Sequence, residues 1–185
     1  MSLGRAFMIP VVSIVGKSDT GKTYLVERLL PVLTRRGYRV ATVKHDVHGF
    51  EMDREGKDSW RHKQAGASAV VISSPKKIAM IQDVEEEESL EKIREAWIRD
   101  VDLILTEGYK RADYPKIEVS LFGGSDQLLC TEAQRLVAVV ADHDVSLEVP
   151  VFREAEIPRL VDWVEERFIR GQGSGNGGQG PASRA

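Results

Sequence analysis

One cysteine, Cys130, in a chain of 185 residues excludes an internal disulfide and leaves no thiolate cluster for a metal within one chain. As a free thiol it reads as a small buried or half-buried hydrophobe. No stretch approaches the roughly 20 consecutive apolar residues of a membrane span, and the N-terminus lacks a signal-peptide core, so a cytoplasmic protein without a membrane partner is expected. Excess charge of one sign is also missing. A formal net charge of −3 and a pI near 5.9 give no global reason to expect nucleic-acid binding. There is no internal repeat. What remains, 42% hydrophobic and 30% charged residues, is the composition of one globular domain long enough to bury a substantial core.

Against those absences stands one dense motif. Gly16, Lys17, Ser18, Asp19, Thr20, Gly21, Lys22 and Thr23 fit the phosphate-binding P-loop, directly after the apolar run Val11 to Val15 and before a helix-patterned stretch from Tyr24 to Arg36. A loop that wraps a triphosphate aims backbone N–H groups inward, which requires glycine where the chain turns tightly and approaches the anion. Gly16 and Gly21 hold those places. The helix N-terminus adds partial positive charge, Lys22 is placed to reach the β- and γ-phosphates, and the Thr23 hydroxyl is a magnesium ligand candidate.

Further along, Val40 to Lys44 is a second strand candidate after the helix stop at Gly37, and Pro31 is expected to kink the first helix. His45 to Lys57 is a long aperiodic loop, the kind that carries function. Asp58 is a candidate cap for a short helix to Ala65, with Gly66 as its stop. Two strands around Ala69 to Ile72 and Ile78 to Ile81 flank a turn at Pro75. Asp83 to Glu88 reads as a solvated acidic helix start, leading to a face of Leu90, Ile93, Ala96 and Trp97. Strands are expected at Asp102 to Thr106, Ile117 to Phe122, Leu136 to Ala141 and Val149 to Phe152, with a last helix from Ile157 to Ile169. This alternation indicates a P-loop α/β fold, a mostly parallel sheet flanked by helices with a possible β-hairpin extension, and a ligand at the carboxyl edge of its strands. The domain is read as residues 8–170. Gly171 to Ala185 is Gly- and Ser-rich and is expected to be a disordered tail or linker remnant, and Met8 is an alternative start.

Nucleotide chemistry needs an acid beside the P-loop strand, and Glu107, delivered by the buried run Leu103 to Leu105 and followed by Gly108, is the best candidate to join Thr23 at Mg2+. Asp102 begins the same strand at the opposite edge, away from the phosphates. Lys44, His45 and Asp46 lie at the carboxyl end of the second strand, where Asp46 is a candidate for contacting magnesium or positioning a water and equally an ordinary loop-start aspartate. His45, His48 and His62 suggest a transition-metal site, but a solvated or substrate-facing role suits a loop better. Asp142, at the end of the Leu136 to Ala141 strand, is a candidate for the guanine edge and equally a turn cap. The Asn-Lys-x-Asp guanine signature is absent. Lys17 occupies the position where one branch of P-loop proteins carries a lysine that reaches phosphates across a dimer interface.

Taken together, Gly21-Lys22-Thr23, Lys44-His45 with His48, the box from Asp53 to Ser59, Ala65-Gly66-Ala67, Glu107 to Lys110, Pro115-Lys116-Ile117 and Ala141-Asp142 resemble the MobB family of molybdopterin-guanine dinucleotide biosynthesis. The match runs from Met8 to Ile169. Glu55 stands where the family commonly has proline, and the glycine-rich tail lies outside the family pattern. The resemblance implies a GTP-binding adaptor, at most a weak GTPase, forming a homodimer and assisting a MobA-like guanylyltransferase that joins GMP to molybdopterin. It also implies that Lys44, His45, His48, Asp53, Lys57, Asp58 and Lys110 form a second wall toward nucleotide or pterin phosphate. Two other readings of the same loop are a small-molecule kinase, with Arg54 and Arg61 imitating a lid, and a GTPase metallochaperone.

Overall fold

The computed structural model describes residues 9–122 and 128–171; Met8 and the tail beyond Gly171 lie outside the described residues. The chain forms two compact units, one made of the residues up to His45 with those from Asp100 onward, the other spanning Asp46–Arg99.

The first unit is a six-stranded sheet in the order β2-β5-β1-β6-β7-β8, with every neighbouring pair parallel. The strands are β1 (Val11–Val15), β2 (Val40–Lys44), β5 (Leu103–Glu107), β6 (Lys116–Ser120), β7 (Leu136–Ala141) and β8 (Val151–Phe152). Parallel strands need long crossovers and bury both faces, so their sequences run apolar rather than alternating. β1 is buried along its whole length. Helices α1 (Lys22–Arg35) and α4 (Ile157–Val164) cover one face, where Leu25, Leu29, Leu33, Leu160 and Val164 close on Val12, Ile14, Leu105 and Val140. A smaller cluster of Val15, Cys130, Leu136, Val139 and Ala141 packs elsewhere on the sheet. Burial raises the Cys130 thiol's pKa, as expected of a cysteine used as a hydrophobe.

α1 continues through Pro31, so the proline does not divide it. It ends as the sequence suggested. Tyr38 N–H donates to Leu33 O and Gly37 N–H to Thr34 O, with Gly37 at φ 89°, which is the paired closure of a glycine-terminated helix. After Val164, α4 widens into a π-type segment at Glu165–Arg170 rather than staying α-helical to Ile169. Strand ends also differ from expectation: β5 lies one residue later, leaving Asp102 outside it, β6 runs from Lys116 and stops at Ser120, and β8 begins at Val151.

The second unit contains α2 (Asp58–Gln64), the antiparallel hairpin of β3 (Ala69–Ser74) and β4 (Lys77–Gln82), and α3 (Leu90–Trp97). The expected hairpin is present, its turn tied by Ser74 Oγ, which accepts the Lys77 N–H at 3.0 Å. Two expectations are corrected. Lys57, extended at ψ 157°, is the N-cap residue of α2 and no side chain caps it; Asp58 is already helical, where its charge complements the first-turn dipole. The acidic run likewise precedes its helix, because Ser89 takes the cap by accepting Lys92 N–H. Trp97 is 59% exposed, so only Leu90 of the expected apolar face is buried.

α4 and its π-type extension are tied to the turn after α1 by charge. Glu165, 7% exposed at its side chain, accepts Arg36 Nη1 at 2.6 Å and Tyr38 Oη at 2.7 Å, and Arg170 also pairs with it. Burial alone raises a carboxyl pKa, but the Tyr38 and Arg36 hydrogen bonds outweigh it and hold Glu165 below its ordinary value. A depressed folded-state pKa stabilises the protein above the unfolded value, near 4.5, and that contribution is lost as pH falls through the folded value. Glu165→Ala is expected to lower unfolding free energy by about 2 kcal/mol at pH 7 in urea titrations, with the gap to wild type narrowing below pH 4.

Candidate functional site

β1 ends at Val15 and the chain turns at once through Gly16. There a Cβ would meet the Val119 carbonyl oxygen at 2.5 Å and Thr20 Oγ1 at 2.8 Å, so the loop is pressed against β6 backbone and only glycine fits. Thr20 Oγ1 donates to the Lys17 carbonyl at 3.0 Å, and Leu121 N–H donates to Thr20 O at 3.0 Å. These bonds shape Gly16–Gly21 into a cup whose far lip, Gly21 at φ 98°, opens α1 without a side-chain cap. The first-turn amides are therefore left for an anion. Lys22 Nζ bends back onto the Lys17 carbonyl. Ser18 and Asp19 are exposed at the tip, Asp19 with a left-handed φ of 60°.

Glu107 closes the neighbouring strand. β5 pairs in parallel with β1, Ile14 opposite Glu107, and with β2, Lys44 opposite Glu107. Both Glu107 oxygens lie 3.0 Å from Thr23 Oγ1, and Lys44 Nζ is 4.0 Å away. A hydroxyl and a carboxylate are hard oxygen donors of the sort magnesium takes, beside a glycine cup too close-walled for any side chain, so the residues fit an Mg2+·triphosphate. Asp102, at the other end of β5, accepts the Arg39 N–H at 2.7 Å, far from this edge as its strand polarity required.

The Glu107-Gly108-Tyr109-Lys110 segment turns sharply, with Gly108 at φ 98° and Tyr109 at φ 52°. A Cβ at Gly108 would lie 3.3 Å from His45 Cβ, and the His45 and Tyr109 rings sit 4.8 Å apart. His45 is thus packed on the EGYK turn. Lys110 lines a different cleft, of about 520 Å³, with Lys116 and Cys130.

Asp142 follows β7 in the first unit, while Asp46, His48, Asp53, Lys57 and Asp58 belong to the second. Asp46 accepts the His48 N–H at 2.9 Å, a local turn of the kind aspartate favours. Asp53, Lys57 and Asp58 line one open cleft of about 770 Å³ with Arg54, His62 and Val71. One Asp53 oxygen accepts Arg54 N–H at 2.8 Å, while the other is buried without a hydrogen-bond partner among the described residues. Among the described residues there is no group of three or more His, Cys, Asp or Glu side chains poised to hold a metal ion.

Two features escaped the sequence reading. Lys116 is 2% exposed, and its ammonium donates to Ala112 O at 2.6 Å and Gln134 O at 2.9 Å, while Glu118 accepts the Leu129 and Cys130 N–H groups at 2.6 and 2.9 Å. Burial lowers the Lys116 pKa. Charges at alternate positions of an otherwise apolar strand were the available signal. The second feature is Phe122, 58% exposed at φ 59° against Gly21, for which no sequence signal existed.

The family model described as molybdopterin guanine dinucleotide synthesis protein B matches residues 11–142. The chain belongs to the MobB family. A molybdopterin-guanine dinucleotide biosynthesis adapter protein of Haemophilus influenzae is 33% identical over 158 residues, covering 85% of this chain and 88% of its own. The protein of that name from Escherichia coli is 32% identical over 165 residues, 86% of this chain and 93% of its own. A crystal structure of molybdopterin-guanine biosynthesis protein B superposes with a TM-score of 0.68 at 37% identity, covering 84% of this chain and 98% of that one. Bacillus subtilis MobB gives 0.67 at 25% identity, over 86% and 98%. The expected P-loop α/β architecture, a mostly parallel sheet flanked by helices, is therefore the MobB fold. No helix of the described residues is long and apolar enough to cross a membrane.

The close approach at Gly16 makes a specific prediction. Gly16→Ala must push β6 or the loop aside and is expected to cost about 1–3 kcal/mol in thermal or urea unfolding.

Proposed function

We propose that this protein is a GTP-binding adapter in molybdopterin-guanine dinucleotide biosynthesis, supporting the guanylyltransferase that joins GMP to molybdopterin. The observation that carries the reading is the Thr23–Glu107 pair beside a glycine-walled cup at the shared carboxyl edge of β1 and β5, in a chain of the MobB family. Lys22 exchanges its bond to the Lys17 carbonyl for phosphate oxygens, a substitution of a charged acceptor for a neutral one that favours the anion. Thr23 and Glu107 would hold magnesium, which would neutralise phosphate charge. Thr23 and Glu107 orient that charge, while the amides of the loop and of the first turn of α1 hold the phosphate chain in place.

Hydrolysis is at most slow in this reading. Asp46, the second-strand acid, is engaged by the His48 N–H in a local turn, and an adaptor needs the nucleotide state more than its turnover. The cleft of the second unit takes the pterin phosphate: Arg54, Lys57 and His62 supply positive or protonatable groups around it. Val71 and Ile78, exposed on one face of the hairpin, support a homodimer. Whether Lys17 reaches a partner's nucleotide belongs to the same proposal.

Calorimetry should show GTP binding that depends on Mg2+ and exceeds ATP binding; a clear ATP preference would defeat the GTP assignment. Lys22→Ala should weaken GTP by about 100-fold or more. Glu107→Gln should chiefly raise the magnesium concentration needed for tight binding. The adapter role is tested by adding the purified protein to a guanylyltransferase with GTP and molybdopterin: faster dinucleotide formation by wild type, and none of that gain from Lys22→Ala, is expected.

A further inference from the structure

Phe122 and Asp142 meet beside the P-loop. β6 and β7 are the two strands next after β1 in the sheet order, and both residues stand just beyond their carboxyl ends. The phenyl ring rests on the cup's second glycine, since a Cβ on Gly21 would come within 3.1 Å of Phe122 Cε2. Tyr24, from the first turn of α1, meets it edge-on with ring centroids 5.3 Å apart. Tyr24 is itself held by a hydrogen bond to Glu154 and by the Arg28 guanidinium 4.8 Å over its ring. The platform is thus braced from below and from one side, yet 58% of Phe122 remains exposed and its backbone sits in the left-handed region. An apolar ring buried for stability alone would not be displayed this way.

Asp142 is tied to the same platform. Its carboxylate accepts a hydrogen bond from His143 Nδ1 at 2.9 Å, and that bond, with the backbone amides of Asp142 and Phe122 nearby, holds its pKa below the ordinary value. A carboxylate offers about four acceptor positions. His143 takes one, and the side chain is 49% exposed, so acceptor positions remain turned to solvent.

We propose that Phe122 and Asp142 form the nucleobase site, Phe122 as the stacking surface and Asp142 as the acceptor for a base edge that carries two adjacent N–H donors. Guanine presents that edge through its ring N–H and exocyclic amine. Adenine presents an acceptor where the ring donor is needed, and xanthine replaces the amine with a carbonyl that faces the carboxylate unfavourably. The proposal rests on the triphosphate site at Gly16–Thr23 and supplies what the missing guanine signature would otherwise provide.

The experiment uses the full chain with Mg2+ and three probes in calorimetry: GTP, xanthosine triphosphate and inorganic tripolyphosphate. Asp142→Asn should lower GTP affinity by about 10-fold or more and raise that for xanthosine triphosphate until the preference reverses, because an amide supplies both a donor and an acceptor. Phe122→Ala should weaken both nucleotides by about 10-fold, the scale of aromatic–base stacking. Tripolyphosphate affinity should stay at the wild-type level in both variants. GTP binding that survives Asp142→Asn unchanged overturns the base-reading assignment while leaving the phosphate site standing. A parallel loss of tripolyphosphate shows Phe122 and Asp142 to be structural supports and overturns it too. Wild type that binds tripolyphosphate as tightly as GTP removes base recognition altogether, and wild type that binds none of the probes defeats the underlying nucleotide reading.

Discussion

Everything at the functional edge depends on β1 being paired in parallel on both sides. With β5 on one flank and β6 on the other, the loops after all three strands leave the sheet at the same edge, and the backbone stitches them together there. Gly108 N–H donates to Ile14 O, and Leu121 N–H donates to Thr20 O, so the end of β1 is bonded to the segment that follows β5 and the P-loop to the one that follows β6. Neither bond uses a side chain. The one side-chain requirement is negative: Gly16 must carry nothing, because the Val119 carbonyl already occupies the space. A phosphate cup built this way is set by strand register, and register in a sheet buried on both faces is fixed by the core rather than by the loop.

That dependence explains the buried charges of β6. Lys116 and Glu118 lie two residues apart in a strand paired with both β1 and β7, and each satisfies backbone groups of the neighbouring chain segments, carbonyls for the ammonium and N–H groups for the carboxylate. Irregular backbone packed against a sheet must find partners or lose several kcal/mol for each orphaned group. A charged hydrogen bond is worth more than a neutral one, so two charges secure five backbone groups, Tyr114 O among them, where polar uncharged residues would hold fewer. The segment Leu128–Gln134 is thereby clamped onto β6, and β6 in turn delivers Val119 and Leu121 to the P-loop.

Much of this is legible in the sequence itself. Apolar runs locate the strands of the sheet, and a glycine-spaced loop between a buried run and a helix pattern locates the cup. Strand polarity alone separates Glu107 from Asp102. The MobB resemblance, resting on boxes in a fixed order, is borne out by the family match and by relatives similar along most of their length. Other features stay hidden for physical reasons. Whether Asp58 or Lys57 begins α2 depends on the backbone dihedral at position 57, and a charged first-turn residue looks the same as a cap in sequence. Phe122 reads as the end of a strand because an aromatic after Val119 and Leu121 continues the apolar run; only the tertiary pull of Gly21 and Tyr24 turns it out of the ladder. Lys116 and Glu118 form a visible anomaly whose meaning requires knowing which carbonyls and amides lie opposite.

Backbone strain sharpens the same picture. Five non-glycine residues among those described adopt positive φ, and three of them, Asp19, Tyr109 and Phe122, follow β1, β5 and β6. Each left-handed residue costs roughly 1–2 kcal/mol relative to an unstrained alternative, and such residues persist only where their surroundings leave no choice. Here the surroundings are the two backbone bonds that join the loops and the packing of Phe122 and His45 on glycines. The energy comes from the core beneath, where Leu25, Leu29, Leu33, Leu103, Leu105 and Leu160 are almost wholly buried, each worth about 1.5–3 kcal/mol of transfer free energy. Strain gathered mainly at one edge and offset by the core beneath is the arrangement expected when loops are held open in a shape that suits a ligand better than it suits the chain itself. Relaxing it would release that strain and would remove the cup.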